Sequence, residues 1–352
     1  METMIADMAG RIFSDHVTHK SRSAAAQGHW QGALWQEIEQ AGLPLALVPE
    51  DAGGFGVTPE TALGIVRIAG AHGAPVPLGE TMLANWLLSQ AELPVISGPL
   101  SITDGAGLTL KPDGDGWVVS GQLSCVPWGR DVGHIVTILP LDGVDMLVVL
   151  PTKDMNFDTG YNLAGEPRDT ALIDLKLGAG QVVAAGAPAE TLTLTGAILR
   201  SLSMAGALEK VMDLCVTYAG DRVQFGRPIG KFQAIQQYLA TMAGEVAASR
   251  AAADMVADGF SSGALQHLGG AAKLRTGEAA QIVAALAHQV HGAIGFTAEH
   301  DLNHFTKRLW AWRDEFGSER DWGQALGQAA LASDSGNFWT FVTETSLQGN
   351  TP

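Results

Sequence analysis

Charged side chains are scarce in this chain of 352 residues: Asp, Glu, Lys and Arg make up 16% of it. Basic residues are the scarcer sign, 21 Lys and Arg against 37 Asp and Glu, so the formal net charge is −16. A nucleic-acid-binding protein needs a basic surface, and the composition excludes that class. Because charge is depleted at the centres of protein interfaces, we expect subunit contacts to cover much of the surface.

Cysteine and long apolar runs are also rare. The two cysteines, Cys125 and Cys215, lie far apart without metal-ligand spacing, so we predict buried thiols in a reducing compartment. No apolar run reaches the ~18 residues of a membrane span. The first residues carry acids and no basic region before an apolar stretch, so we expect no secretory signal and a cytoplasmic protein.

The spacing of apolar residues divides the chain into three parts. Residues 1–95 show helical spacing, residues 96–190 contain short β-branched runs between Asp–Gly turns, and residues 191–352 return to helical spacing. This order predicts an N-terminal α-helical domain, a middle antiparallel β domain and a C-terminal helical bundle.

Individual elements follow from the same patterns. Trp30, Leu34, Trp35 and Ile38 fall on one helical face, and Thr58–Pro59 is a helix start. Strands are predicted at 117–120, 134–139, 146–150 and 170–177. C-terminal helices are predicted at 194–219, 232–258, 264–290, 299–313 and 319–332.

The connection from residue 221 to 233 is unusually specific for a link between two helices. Arg222 and Arg227 each carry a planar fork of donors that suits an anion. Gly226 allows a sharp turn or a close approach of backbone, and Pro228 is expected to stop the preceding helix. A plain helix–helix loop with incidental charge is the alternative.

Three ordered segments resemble one family. Residues 222–229 (Arg-Val-Gln-Phe-Gly-Arg-Pro-Ile) resemble the signature of the acyl-CoA dehydrogenases, flavoproteins that desaturate acyl-CoA thioesters between Cα and Cβ. Residues 289–297 and, more weakly, 49–56 are similar to two further family segments. The resemblance implies an N-terminal α-helical domain (1–95), an antiparallel β-barrel (96–190) and a four-helix bundle (191–352), with FAD as cofactor and an electron-transferring flavoprotein as electron acceptor.

In that family two subunits share each flavin site. The resemblance implies that Arg222 pairs with the pyrophosphate and that Gln289 faces the adenosine. The full set implied to contact FAD is Arg222, Gln224, Phe225, Gln289, Gly292 and Ala293, the last standing where the family usually has glycine. For Gln289 and Gly292 an ordinary helix end closed by glycine is the alternative.

The side of the site that faces the flavin ring departs from the family pattern. Cys125 stands where the family has Trp, and Pro127 where it has Thr. Proline has neither an N–H nor a hydroxyl, so Pro127 cannot donate to a flavin. Trp128 could substitute only by a slip along the strand that changes its face. The acyl-binding segment is reduced to residues 101–107.

The catalytic base is missing from both positions that the family uses. Desaturation needs a carboxylate to take the α-proton. The resemblance places that base at Phe316 or, in other subgroups, at Leu199 before Arg200. Glu315 adjoins the first position but points about 100° away on a helix. It is either a solvated or ion-paired acid beside Arg313 and Arg320 or, after a one-residue shift, the base.

These departures identify the chain, by resemblance, with the short, non-catalytic subunit of heteromeric (α2β2) dehydrogenases of steroid and bile-acid side chains. A self-sufficient homomeric enzyme that uses Glu315 is one alternative, and a flavin-free acyl-CoA-binding or scaffolding homologue is another. Trp310, Trp312 and Trp322 around Arg308 and Arg313 predict either an interface or core packing. No metal site is expected from His267, His288, His291, His300 and His304, which lack ligand spacing.

Overall fold

Helical spacing in the sequence produces ten α-helices in the computed structural model, which describes residues 2–261, 265–332 and 339. In chain order these helices are α1 (Glu2–His16), α2 (His19–Ala25), α3 (Gly32–Gln40), α4 (Pro59–His72), α5 (Leu78–Gln90), α6 (Glu190–Asp221), α7 (Gln233–Asp258), α8 (Leu265–His291), α9 (Leu302–Trp312) and α10 (Glu319–Ala332).

The β-branched runs form strands in the middle of the chain. The described strands are β1 (Leu100–Ile102), β2 (Leu108–Asp113), β3 (Gly116–Pro127), β4 (His134–Leu141), β5 (Val144–Pro151), β6 (Arg168–Leu177), β7 (Val182–Ala184), β8 (Val223–Gln224) and β9 (Arg227–Pro228). One sheet has the order β1-β4-β5-β7, a second has the order β2-β3-β6, and β8 and β9 form a hairpin.

The predicted fold is confirmed: an N-terminal helical part, a middle β part and a C-terminal helical part, as in the acyl-CoA dehydrogenase fold. The four predicted strands lie within β3, β4, β5 and β6. Pairing is antiparallel except between β1 and β4, which run parallel. The chain between these two strands passes through β2 and β3 of the other sheet, and such a crossover is what parallel strands require.

Some element ends differ from the prediction. Trp30 precedes α3 instead of lying on its buried face. The helix expected from residue 299 starts at Leu302, because residues 297–301 form a turn between it and the 3-10 helix Gly292–Phe296. Residue 264, expected to begin a helix, lies outside the described residues. Pro228 does not stop α6, which already ends at Asp221; it lies in β9, with Val223 opposite.

The chain divides into two compact units, Met1–Thr58 with Pro75–Gly196, and Pro59–Ala74 with Ala197–Pro352. The first unit contains α1, α2, α3, α5 and the two larger sheets. Inside it, the inward faces of β3, β4, β5 and β6 pack as one apolar cluster that includes Leu123, Val126 and Trp128. This cluster holds the end of β3 that carries residues 125–127, and Trp128 after it.

The second unit is a helical bundle around α6. Close crossing of α4 and α6 depends on two glycines: a Cβ on Gly206 would lie 1.9 Å from the Arg67 carbonyl oxygen, and one on Gly70 would lie 2.3 Å from that of Ser203. By length and composition alone α6 could span a bilayer, yet 83% of its most apolar window is buried within the protein. A buried core helix accounts for that composition.

Candidate cofactor and substrate site

The motif after α6 folds as a two-residue β-hairpin. β8 and β9 pair Gln224 with Arg227, and the turn between them is Phe225–Gly226. Both turn residues have positive φ, 51° for Phe225 and 77° for Gly226. These signs match a type I′ turn, whose first position usually holds Asn or Asp. The hairpin therefore holds a bulky aromatic residue in a conformation that its side chain disfavours.

Phe225 is also the most exposed large apolar side chain of the described part of the protein, at 93% of its full accessible area. It meets Phe232 edge-on at 6.1 Å between ring centroids, and the Arg227 guanidinium lies 4.3 Å over the ring of Phe232. Backbone strain of about 1–3 kcal/mol persists where the surroundings enforce it, commonly at ligand contacts. Strain and exposure together favour a binding role for the hairpin tip.

Arg222 sits at the root of the hairpin with its guanidinium exposed. Its backbone is fixed, because its N–H donates to the Tyr218 carbonyl (2.9 Å) and its carbonyl accepts from the N–H of Ile229 (2.8 Å). Among the described residues its side chain has no hydrogen bond or ion pair. A positioned guanidinium fork without a protein partner is suited to phosphate oxygens.

The second predicted segment ends α8. Gln289 is exposed, with no side-chain hydrogen bond to the described residues, and Gly292 has a φ of 65° immediately after the helix. A Cβ on Gly292 would meet nothing within 4 Å, so the backbone there is open to a ligand. Gly292 also closes the helix in the left-handed conformation usual after a helix end. Gly292 therefore also fits the alternative, an ordinary helix end closed by glycine.

The two segments are joined by aromatic stacking inside the second unit. Tyr218, in the last turn of α6, stacks on His291 at 4.4 Å between centroids and 24° between planes. His291 is the last residue of α8, directly before Gly292 and Ala293. The fold therefore brings Arg222 and Gln289–Ala293, far apart in sequence, onto two helix ends that touch. These residues fit an extended, phosphate-bearing cofactor such as the pyrophosphate and adenosine half of FAD.

The first unit lacks the Trp and Thr side chains that the family pattern places against the flavin ring. Trp128 is buried in the β core, where it meets Trp30 edge-on at 6.2 Å, so it does not replace the missing ring-facing Trp. The Pro127 carbonyl accepts from the Ser101 hydroxyl at 2.5 Å. The Ser101 hydroxyl, in the segment 101–107 that stands at the acyl-binding position, therefore already donates its proton within the protein.

Cys125 corrects the prediction of two buried thiols: it is exposed, whereas Cys215 is buried. The pairing of β3 with β6 is interrupted between Leu123 and Val126, and Cys125 has a φ of 53°. A bulge leaves one residue unpaired and bends the strand, which turns Cys125 outward. Burial raises the pKa of the Cys215 thiol to about 12.

Both predicted base positions hold apolar side chains, and the neighbouring acid is ion-paired. The Nε of Arg200 lies 2.6 Å from Oε2 of Glu315, and the two side chains are only 6% and 17% exposed. The same guanidinium lies 5.6 Å from the centroid of the Phe316 ring. Leu199 is buried. Glu315 is therefore ion-paired with Arg200, and Arg313 pairs with Glu319.

A buried lysine holds the loop that carries Glu315 and Phe316. Nζ of Lys273, on α8, donates to the carbonyls of Arg313 (2.5 Å) and Gly317 (2.7 Å). Desolvation, opposed by Glu319, Glu315 and Asp314, lowers the Lys273 pKa to about 8. Trp322 Nε1 donates to the Phe316 carbonyl at 3.0 Å. Together these bonds fix a backbone in which Phe316 has a φ of 55°.

Core packing explains two members of the predicted tryptophan–arginine group. Trp312 belongs to the bundle core, and Arg308 is 1% exposed and donates to the His304 carbonyl. Trp310 stacks on His288. Tyr218, His291 and Lys273 were not predicted as site residues. For Lys273 the sequence holds a signal, since it falls on the face of α8 that is otherwise small and apolar, where a charge requires a partner.

Comparison with known proteins assigns the family. The acyl-CoA dehydrogenase N-terminal domain matches residues 1–91 and the acyl-CoA dehydrogenase C-terminal domain matches residues 189–315. The chain belongs to the acyl-CoA dehydrogenase family. It is 29% identical to acyl-CoA dehydrogenase IpdE2 of Mycobacterium tuberculosis over 81% of this chain and 82% of that protein. It is 31% identical to FadE34 of the same organism over 76% of this chain and 38% of that protein.

Solved structures show the same fold. A chain of the ChsE4–ChsE5 complex from Mycobacterium tuberculosis superposes with a TM-score of 0.87 at 19% identity, over 95% of this chain and 98% of that chain. Butyryl-CoA dehydrogenase from Megasphaera elsdenii gives 0.84 at 17% identity, over 94% of this chain and 98% of that chain. These likenesses establish the architecture.

Proposed function

We propose that this chain is the non-catalytic subunit of a cytoplasmic heteromeric acyl-CoA dehydrogenase and completes the FAD site of a companion subunit. The observation that carries the proposal is the asymmetry of its residues. The side chains of Arg222 and Gln289, the donors for the pyrophosphate and the adenosine, are exposed and lack protein partners among the described residues, while the Gln224 amide donates to the Val223 carbonyl. The ring-facing and base positions are filled by groups that cannot act. When bound, FAD would accept the hydride from the substrate.

The pyrophosphate side supports a role in holding the cofactor. Arg222 would pair with phosphate oxygens, Phe225 would cover apolar surface next to them, and Gln289 would donate to the adenosine. An acidic chain of net charge −16 needs such local positive groups to receive an anionic cofactor. Gly292 would let backbone approach it closely.

The base positions support reliance on a companion. Phe316 and Leu199 cannot accept a proton, and the carboxylate of Glu315 is held by Arg200. A carboxylate in a close ion pair is a poor acceptor for a substrate proton, because the guanidinium favours its charged form. The companion subunit would therefore supply the base that removes the α-proton. The relatives named above include a chain from a two-component complex, which is consistent with this arrangement.

The test is to purify the chain alone and together with the product of the adjacent gene. We expect the pair to elute as one assembly with bound FAD and to oxidise acyl-CoA thioesters, while the chain alone does neither. Short, medium and steroid-side-chain thioesters with an electron-transferring flavoprotein as acceptor form the substrate panel. Stoichiometric FAD and turnover from the single chain would contradict the proposal.

Glu315→Gln separates this proposal from a self-sufficient enzyme. We expect the pair to retain its turnover within about twofold, because Glu315 does not act as the base. Leu331→Gln, at an exposed position on α10, is the control for handling and folding. Loss of activity on Glu315→Gln without loss of FAD or assembly would favour Glu315 as base. A pair that binds acyl-CoA but never FAD would favour the scaffolding alternative.

A further inference from the structure

His291 occupies an unusual position for a core histidine. Its ring is 3% exposed, stacks on Tyr218 and meets His300 at 4.8 Å between centroids and 64° between planes. Nδ1 lies 2.9 Å from the Ala287 carbonyl oxygen, which can only accept a hydrogen bond. Nδ1 therefore carries the proton in the neutral ring. Within the described part of the chain, Nε2 is buried without a hydrogen-bond partner.

The ring lies between the two segments that the proposed function requires. On one side Tyr218 accepts the N–H of Arg222, where the hairpin begins. On the other side the chain continues from His291 into Gly292 and Ala293, with Gln289 two residues before it. A phenylalanine would supply the same stacking without a polar nitrogen left unpaired. The imidazole thus brings a feature that packing does not need.

Protonation of His291 would disturb this contact. A second N–H at Nε2 would have no acceptor, and the new charge would lie beside two other histidines. The titratable groups around the ring are Cys215 and Tyr218 on α6, His288 on its own helix, and His300 on the following turn, which Glu299 and Asp301 flank. Burial lowers the pKa of His291, the hydrogen bond to the Ala287 carbonyl opposes this shift, and His300 and His288 lower the pKa further.

We propose that His291 is a positioning residue whose neutral form holds the Arg222–Phe225 hairpin and the Gln289–Ala293 segment together for one FAD molecule, so that the cofactor is released on acidification. This inference rests on the proposed function. Its physical basis is the buried Nε2 of His291, which has no hydrogen-bond acceptor among the described residues, so that a proton added there would be buried and unpaired. The proposed cofactor-binding surface lies on both sides of the contact between Tyr218 and His291. Loosening that contact would therefore move Arg222, which binds the pyrophosphate, away from Gln289, which binds the adenosine.

The experiment measures FAD binding to the purified pair between pH 5 and pH 8, by flavin absorbance of the intact assembly after gel filtration and by titration of FAD into the apo pair. One coupled proton predicts that the dissociation constant rises by up to about tenfold for each pH unit of acidification below the pKa of His291. We expect His291→Phe to bind FAD within about threefold of wild type at pH 8, with this rise abolished.

A second variant keeps the test decisive where His291→Phe fails to fold. His291→Asn retains a donor toward the Ala287 carbonyl but neither stacks nor titrates, so we expect weaker binding at pH 8 and no acid-dependent rise. His134→Phe is the matched control, since burial also lowers the pKa of His134 in the other unit; we expect its pH profile to follow wild type. The histidine C–H signals of the apo pair, followed by NMR, report the same titration without cofactor.

The outcomes separate the two proposals. FAD binding that does not change between pH 5 and pH 8, or an acid-dependent rise that persists in His291→Phe and His291→Asn, would overturn the role of His291 and leave the proposed function standing. A pair that holds no FAD at any pH would overturn both.

Discussion

The two cysteines show how single residues of one type acquire different chemistry from their surroundings. Cys215 lies in the bundle core beside His291, with its Sγ 3.8 Å from Nδ1, and burial raises its pKa to about 12. Cys125 lies on a strand bulge and is exposed. Because the thiolate is the reactive form, only an accessible thiol that can ionise will react near neutral pH.

We therefore expect iodoacetamide to alkylate Cys125 and to leave Cys215 unmodified in the native chain at pH 8. Intact-mass measurement should show one added group, and peptide mapping should place it on Cys125. In denaturant both thiols should react, which is the control for reagent and time. Two modified cysteines in the native protein would show that Cys215 is less enclosed than the structure indicates.

Glu315 and Phe316 make the same point for the site. A glutamate next to an expected base position is a chemical candidate until its partner is known. The Nε of Arg200 lies 2.6 Å from the Glu315 carboxylate, and the same guanidinium lies over the Phe316 ring. One guanidinium therefore ion-pairs with the acid and also packs on the neighbouring aromatic ring. Whether Glu315 could act as a base therefore depends on the residue of α6 that faces it, here Arg200, and not on the glutamate alone.

Among the elements, the loop between α9 and α10 is held by hydrogen bonds from α8 and α10. Its carbonyls at Arg313 and Gly317 accept from Lys273, and Ser318 and Asp321 exchange hydrogen bonds where α10 begins. A capping exchange of this kind fixes a helix start. Burial of Lys273 removes its ammonium group from water, and this desolvation lowers its pKa from 10.5 to about 8.

Lys273→Met should change the dependence of stability on pH. Between pH 8 and 10.5 the unfolded lysine binds more protons than the folded one, so this group makes the free energy of unfolding rise with pH in wild type. We expect the difference between wild type and Lys273→Met, followed by urea unfolding, to grow by about 3 kcal/mol in favour of wild type over that range. At pH 7 the variant also loses about 1–3 kcal/mol from two carbonyls left without a donor.

Lys176→Met is the matched control for Lys273→Met, because Lys176 is an exposed lysine on β6 that pairs with Asp113. It should leave the pH dependence of unfolding unchanged over most of the same range. Parallel pH profiles for wild type and Lys273→Met would contradict a lowered lysine pKa. They would leave the hydrogen bonds to Arg313 and Gly317 as its only contribution.

For the whole molecule, the proposed function implies that the free chain carries features that are satisfied only in an assembly. The hairpin tip holds Phe225 at positive φ and leaves it 93% exposed, which costs stability in the isolated chain. In the proposed complex the same ring is buried against cofactor or companion. A substitution of Phe225 that relieves the strain should therefore stabilise the free chain and weaken cofactor binding by the complex.

Phe225→Asn tests this opposition, because Asn–Gly is the preferred pair of a type I′ turn. We expect the free energy of unfolding of the chain alone to rise by about 1 kcal/mol. We expect FAD binding by the pair to weaken by roughly 10- to 100-fold, the value of burying one phenylalanine ring. Urea unfolding and FAD titration measure the two effects.

Leu172→Asn is the control for Phe225→Asn, since Leu172 is 80% exposed on β6 without a positive φ. It should leave FAD binding unchanged. A less stable chain and unaltered FAD binding in Phe225→Asn would show that the hairpin tip has no role in the cofactor site.

The sequence by itself determined the order of helical and β parts, the strands within β3, β4, β5 and β6, and the two motifs around Arg222 and Gln289. These follow from local spacing and from turn residues, which act over a few positions. It also showed which base positions lack a carboxylate, because Phe316 and Leu199 have no acidic group in any conformation.

Only the tertiary structure decided the partners. Arg200 and Glu315 are 115 residues apart in sequence, and so their ion pair depends on the packing of α6 against the loop after α9. The exposure of Cys125 depends on a bulge in the pairing with β6, and the burial of Trp128 on the β core. Contacts between distant segments depend on how helices and strands pack, and that packing is set by the whole set of buried side chains at once.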